Sequence, residues 1–242
     1  MANKTVLITG AARRLGAAIA CELHDLGMDI VIHYHRSRAE AMELANQLND
    51  LRPGSATLLQ ADLLQQESYA ALITRACDVN RRLDCLVNNA SAFYAAPLES
   101  VTFEQWDELM TTNLKAPFFL SRHAAPHLRT TRGCIINLSD IHGLRPLKNF
   151  PVYSAAKAAL NMLTAALAVE LGPEIRVNGI APGAVLWPDG LDNTARERII
   201  AGTILRRQGE TADITRAIRY LLVEGSYITG QTLTIDGGRT LV

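Results

Sequence analysis

Seven short apolar runs alternate along the chain with longer stretches of helical periodicity. That alternation restricts the fold more than any other feature. The runs are TVLIT (5–9), DIVIHY (29–34), ATLLQ (56–60), CLVNN (85–89), CIINLS (134–139), RVNGIA (176–181) and TLTID (232–236). Helical patterning fills 14–26, 38–51, 66–80, 103–127, 151–171 and 212–223, with a further helix expected near 190–207. Strands that alternate with helices build right-handed βαβ units and a parallel sheet covered on both faces. Several runs are almost wholly apolar, as buried parallel strands are.

The chain has 242 residues, a length that suits one α/β domain of about 200–250 residues. No internal repeat, low-complexity tract or linker interrupts it, and LRPGS (51–55) reads as an ordinary turn. The expected fold is α/β, a single-domain Rossmann-type doubly wound parallel sheet over 1–242. Lys plus Arg balances Asp plus Glu at 24 each, which argues against non-specific binding to nucleic acid or an anionic membrane. The first apolar run is too short for a signal segment, and no run approaches a membrane span. Cys21, Cys77, Cys85 and Cys134 are scattered without a C-x-x-C pair, so small buried thiols and a cytoplasmic location are expected. His123 and His127 stand four apart, but no Glu follows His123 and Pro126 interrupts the turn, so no metal is expected.

Ligands of such sheets bind beyond the carboxyl ends of the strands. The first of these ends is TGAARRLG (9–16), leading into a helix rich in small residues. Backbone N–H groups at a helix start receive a pyrophosphate well. Gly10 permits the tight turn and Gly16 a close helix–sheet approach. Leu15 stands in the same loop. The second strand ends in HYHRS, with no acid at 33–37 to hold a ribose 2′-hydroxyl. His35, Arg36 and Ser37 offer a cation and a hydroxyl instead, which suits a 2′-phosphate and hence NADPH. Ser37 also reads as a helix N-cap, a role compatible with phosphate binding. Asp62 and Leu63 after the third run, and Asn89 and Ala90 after the fourth, fall in order along the same rim.

The other half of the rim carries YSAAK, Tyr153 to Lys157, at the start of a helix. A spacing of four puts Tyr153 and Lys157 on one helical face. A nearby ammonium stabilises a phenolate and lowers the tyrosine pKa, so the pair can pass a proton to a substrate.

With TGAARRLG, NNA, TTNLKAP, NLSD, YSAAK, APG and YITGQTLTIDGG in place, the chain resembles the short-chain dehydrogenase/reductase family over nearly its whole length. The resemblance implies that Tyr153 donates a proton, that Lys157 holds the nicotinamide ribose, and that Asn113 helps anchor a water linked to Lys157. Read from the residues alone, Asn113 is equally a satisfied polar group in a bent helix. Pro182 and Gly183, in APG, complete the cofactor set. Counting back from Tyr153 by the family's spacing lands on Asp140 where that family has serine, with Ser139 one residue earlier as the fallback. A shift of one on an extended segment turns a side chain to the opposite face. A carboxylate there opposes the pKa-lowering effect of Lys157 and helps keep Tyr153 protonated, which suits reduction of a C=N bond.

The loop pattern T-G-x-x-x-R-x-G, HYHRS, NNASAFY and Asp140 together resemble the pteridine reductase branch. Arg14 stands where such loops usually carry glycine. The resemblance implies that it faces both the nucleotide phosphates and the substrate ring. It also implies that Phe93 stacks on a pterin and that Ser91 bonds the pterin edge. Tyr94 is open between pocket wall and core. Leu186 and Trp187 lie in a loop expected to cover the substrate, and Trp187 stands where the broader family has threonine. The expected function is NADPH-dependent reduction of a dihydropterin, extending to fully oxidised pterin, dihydrofolate or folate. A carbonyl reductase such as a 3-oxoacyl-thioester reductase is the alternative, and a non-catalytic NADP(H) sensor is an alternative of another class. The family resemblance implies a homotetramer assembled through 103–127, 151–171 and the last strand.

Overall fold

The computed structural model describes residues 4–187 and 190–242. Seven strands form one sheet: β1 (Thr5–Ile8), β2 (Asp29–Tyr34), β3 (Ala56–Gln60), β4 (Cys85–Asn88), β5 (Cys134–Leu138), β6 (Arg176–Pro182) and β7 (Thr232–Ile235). Their order is β3-β2-β1-β4-β5-β6-β7, and every pairing is parallel. The order reverses between β1 and β4, which opens a crevice at their carboxyl ends.

The apolar runs are divided by the pleat. Val6 and Ile8, Ile30 and Ile32, and Cys85 and Val87 pack on one face against Ile19 and Leu23 of α1 (Arg14–Asp25), Leu44 of α2 (Arg38–Leu51) and Ile218 of α8 (Thr211–Val223). Leu7, Val31, Leu86 and Ile135 pack on the other face. They meet Leu72 of α3 (Ser68–Asp78), Leu120 of α5 (Ala116–Thr131) and Leu167 of α6 (Pro151–Leu171). Removing one such buried side chain costs about 2–5 kcal/mol. Cys77, Cys85 and Cys134 are buried thiols as expected, while Cys21 is half-buried. Helix α6 is long and apolar enough to cross a membrane by length and composition, but half of that stretch is buried against the rest of the molecule.

Two helices depart from expectation. The helix expected over 103–127 is α4 (Phe103–Met110), then a π-helical turn Thr111–Lys115, then α5. Pro117 has no N–H to give the Asn113 carbonyl, so an α-type bond is impossible there. Pro126 does not end α5, which runs on to Thr131. The helix expected near 190–207 is α7, confined to Asn193–Ala201 and capped by the Asp192 side chain, which accepts from Ala195 N at 2.7 Å. Positions 188 and 189 of the expected substrate loop lie outside the described residues.

Candidate active site

The carboxyl ends of β1 to β6 border a cleft of about 680 Å³. It brings together nearly all the expected site residues: Gly10, Arg14, Leu15, His35, Arg36, Ser37, Asp62, Leu63, Asn89, Ala90, Ser91, Asp140, Tyr153, Lys157, Pro182, Gly183 and Leu186 all line it.

On the nucleotide side, Thr9 stitches two loops together. Its hydroxyl accepts from the Asn89 and Ala90 backbone N–H groups at 2.9 and 3.0 Å and donates to Val87 O at 3.3 Å. Asn89 is itself structural, donating from Nδ2 to the carbonyls of Thr9 (2.8 Å) and Gly10 (3.0 Å). Gly10 has φ +61, and a Cβ on Gly16 would stand 2.4 Å from Gly10 O. The turn therefore has the bare backbone that a pyrophosphate cradle requires. Sequence reasoning missed His33. Its Nδ1 accepts from Gly10 N at 3.1 Å, and its Nε2 lies 3.2 Å from Ala61 O. Those partners require a neutral ring with the proton on Nε2, and burial pushes its pKa down to about 4. A histidine inside the otherwise apolar stretch of DIVIHY was the available signal.

Arg36 is exposed. Ser37 occupies the N-cap position of α2, but its side chain makes no capping bond, which corrects the capping expectation. Its hydroxyl is therefore not committed to the helix. Asp62 accepts from Leu64 N at 3.0 Å and lies 3.8 Å from His35 Nε2.

Arg14 answers why an arginine matters at a glycine position. Its φ is +54, in the left-handed region that costs a non-glycine residue about 1–2 kcal/mol. Its Nη2 donates to Trp187 O at 2.9 Å, tying the phosphate loop to the segment after β6. The Trp187 backbone thus contributes a contact, while its ring lies 6.0 Å from the Arg196 guanidinium. Replacing Arg14 by glycine should relieve the strain but lose the tie to Trp187, leaving stability within about 1 kcal/mol of the parent while lowering turnover. Thermal melting and steady-state rates on one preparation check both halves.

The catalytic side is built where β5 meets α6. Tyr153 donates its hydroxyl proton to Asp140 Oδ2 at 2.8 Å. Asp140 Oδ1 accepts from His142 N at 2.8 Å, so the carboxylate also caps the short turn Ile141–Gly143. Lys157 Nζ donates to Leu138 O at 2.8 Å. The fallback residue Ser139 points away, donating to Asn161 Oδ1 at 2.5 Å and Lys157 O at 3.3 Å. Both residues border the cleft, but the one-residue offset on an extended segment leaves Asp140 as the side chain in contact with Tyr153. Gly143 completes the fit, since a Cβ there would stand 2.7 Å from the backbone of Lys157. Its position in the sequence carried no hint of that approach.

The electrostatics differ from the simple pairing of ammonium and phenol. Burial, then Asp140, pushes the Tyr153 pKa well above its ordinary range, so the phenol holds its proton. Burial pushes Lys157 down to about 8, with Asp140 pulling the other way. No lowering of Tyr153 by Lys157 is among the causes, the only lowering influence being the Ser91 hydroxyl, whereas the opposing effect expected of Asp140 is present.

Asn113 is fully buried in the π turn. Its Nδ2 donates to Ala92 O and Leu109 O, both at 2.9 Å, and its Oδ1 accepts from Ser91 Oγ at 2.6 Å. Its side chain is thus spent within the protein. Pro117, four residues on, supplies no N–H to the Asn113 main-chain carbonyl. The Ser91 hydroxyl proton is likewise committed in this state. Phe93 is 42 % exposed, stacks on Phe150 at 4.8 Å between centroids and meets Tyr153 edge-on at 4.9 Å. Tyr94 lines the cleft and also packs on the small cluster around Leu109, so both of its readings hold.

A glycine-cradled crevice at the switch point and a buried Tyr–Lys pair at the end of the neighbouring strand define an oxidoreductase that works with a nicotinamide nucleotide. The chain belongs to the short-chain dehydrogenase/reductase family. The family model described as enoyl-(acyl carrier protein) reductase matches residues 10–240. The chain is 36 % identical over 250 residues to 3beta-hydroxysteroid dehydrogenase 1 of Eggerthella lenta, covering 99 % of this chain and 94 % of the relative. It is 34 % identical over 277 residues to pteridine reductase 1 of Leishmania tarentolae, covering 97 % and 96 %. It is 36 % identical over 252 residues to L-fucose dehydrogenase of Oryctolagus cuniculus, covering 99 % and 86 %.

Proposed function

We propose that the protein is an NADPH-dependent pteridine reductase that converts a dihydropterin to its tetrahydro form, with pterin, dihydrofolate and folate as further candidate substrates. The observation that carries this reading is the 2.8 Å bond from Tyr153 to Asp140. Beside Tyr153, a ketone reductase needs a second neutral donor facing the carbonyl oxygen, which a carboxylate is not. A carboxylate instead accepts N–H groups and passes a proton, which suits a nitrogen heterocycle. The similarity to a pteridine reductase, Arg14 at the loop and the partly exposed Phe93 ring support the same substrate class. Ketone or alcohol chemistry is favoured instead by the hydroxysteroid and fucose dehydrogenase relatives.

In this reading, the nucleotide when bound supplies a hydride to the ring carbon. Gly10, Leu15, Asn89, Ala90, Pro182 and Gly183 shape its cleft, and Lys157 holds its ribose. Tyr153 delivers a proton to the ring nitrogen, and Asp140 relays its replacement from solvent. Ser91, Phe93, Leu186 and Trp187 hold the substrate. Asn113 keeps a water near Lys157 through its carbonyl.

The test is NADPH oxidation with dihydrobiopterin, dihydromonapterin, dihydrofolate, folate, a 3-oxosteroid and acetoacetyl thioester in parallel. Turnover confined to pterins supports the reading, and turnover confined to the ketones sinks it. Arg36, Ser37 and His35 are proposed to select NADPH. Arg36→Glu should therefore raise the NADPH KM at least about tenfold, about 1.4 kcal/mol, with a much smaller effect on NADH.

The proposed tetramer joins α4, α5, α6 and the last strand, β7, to their copies. Phe103, Val169 and Met162 are 87, 81 and 70 % exposed on these helices, a large apolar display for a lone chain. Sedimentation gives the mass directly, and a monomer would refute the assembly.

A further inference from the structure

Behind the Asp140 turn, and separate from the nucleotide cleft, lies a second groove of about 550 Å³. Arg145, Arg198, Arg206 and Arg239 converge on it from widely spaced parts of the chain. No Asp or Glu side chain lines it among the described residues. In a chain with equal numbers of acids and bases, four guanidinia around one concavity whose described lining holds no acidic side chain form a local positive field.

Three of the four are already fixed. Arg145 Nη1 donates to the carbonyls of Arg239 (3.2 Å) and Thr240 (3.3 Å) and to a main-chain oxygen of Val242, the last residue, which also lines the groove. Arg239 Nη1 donates to Ile199 O at 2.8 Å, and Arg206 Nη1 donates to Ala201 O. Each bond engages one terminal nitrogen, and a guanidinium carries five donors. The remaining donors are held in place at little further entropic cost. The Arg198 guanidinium has no hydrogen bond or ion pair among the described residues. Pro146, Leu147 and Ile204 supply an apolar wall beside these cations.

We propose that this groove binds an organic carboxylate, its head held by guanidinium forks and its hydrocarbon body against Pro146, Leu147 and Ile204. Planar forks match a carboxylate in bidentate fashion, and the apolar wall distinguishes the site from one for a bare ion. The proposal does not depend on which substrate occupies the nucleotide cleft.

The test is calorimetric titration of the full chain with hexanoate, hexylammonium, hexanol and inorganic phosphate. Hexanoate should bind saturably with one site per chain and more weakly at high salt. Arg198→Gln should weaken it at least fivefold, while Tyr153→Phe leaves it unchanged. Absence of saturable binding overturns the proposal, as does equal binding of hexylammonium or hexanol. Phosphate binding as tightly as hexanoate would make this a bare anion site and also overturn it. So would an Arg198→Gln variant that dissociates an oligomer while hexanoate fails to bind, since the groove would then be an interface.

Discussion

Tyr153→Phe should lower kcat by about 10²–10⁴-fold while the protein folds and binds nucleotide almost normally. The phenol is the proton-bearing group at the meeting point of β5 and α6, and its proton already points at Asp140 over 2.8 Å. Removing the oxygen removes the donor and leaves the ring against Phe93. The loss of one hydrogen bond to a bound nucleotide is worth about 1 kcal/mol, so affinity should fall by about fivefold at most. Single-turnover rates with saturating nucleotide separate the two effects, and undiminished chemistry would exclude Tyr153 as the donor. The wild-type protein should also lose kcat/KM for reduction above about pH 8. Lys157 is pushed down to about 8 by burial, so its ammonium, and the positive charge beside Tyr153, disappears as pH rises through that value. The stability sign is the reverse. The folded pKa lies below the unfolded value of about 10.4, so the buried charge costs stability below pH 8, and that cost fades as pH rises between the two. A Lys157→Met variant should lose the alkaline limb of the rate profile along with most of its activity.

The sheet was largely legible because a strand buried on both faces must be apolar at nearly every position, as the five inner strands are, while the partly buried edge strands β3 and β7 stood out as short runs between helices. Strand ends were set one residue too late at Thr9, Asn89, Ser139 and Asp236. These polar side chains leave the ladder: Thr9, Asn89 and Ser139 bond to neighbouring segments, and Asp236 accepts from Gly238 N and Thr240 N in its own turn. The Tyr153–Lys157 pair was legible from its helical spacing, whereas Asp140 was reached only through the spacing that the family resemblance implies. The π turn was not legible, because one displaced hydrogen bond barely alters the hydrophobic period, although Pro117 marks the place. His33 and Gly143 were hidden for a different reason. Their roles depend on what approaches them from α6 and from the first loop, and only the assembled fold brings those partners near.

The second large effect is expected at Gly16. A Cβ there would lie 2.4 Å from Gly10 O, 2.7 Å from Asn89 Nδ2 and 2.9 Å from Ala11 Cα. Two of these are backbone atoms of the phosphate turn, and the third holds the carbonyls of Thr9 and Gly10 in place. None is the far end of a flexible side chain, so Gly16→Ala must push α1 away from the turn. Overpacking of this kind costs about 1–3 kcal/mol. It also moves the backbone N–H groups that would receive the pyrophosphate, and nucleotide affinity should fall at least about tenfold, or 1.4 kcal/mol. Gly54→Ala is the control. It has open space around its Cβ but φ +75, so it should cost about 1 kcal/mol of stability through strain alone and leave nucleotide binding untouched. Nucleotide fluorescence titration and thermal melting of both variants separate packing from strain. If Gly16→Ala binds nucleotide as the parent does, the close approach of α1 to the turn is a packing feature and the cleft does not depend on it.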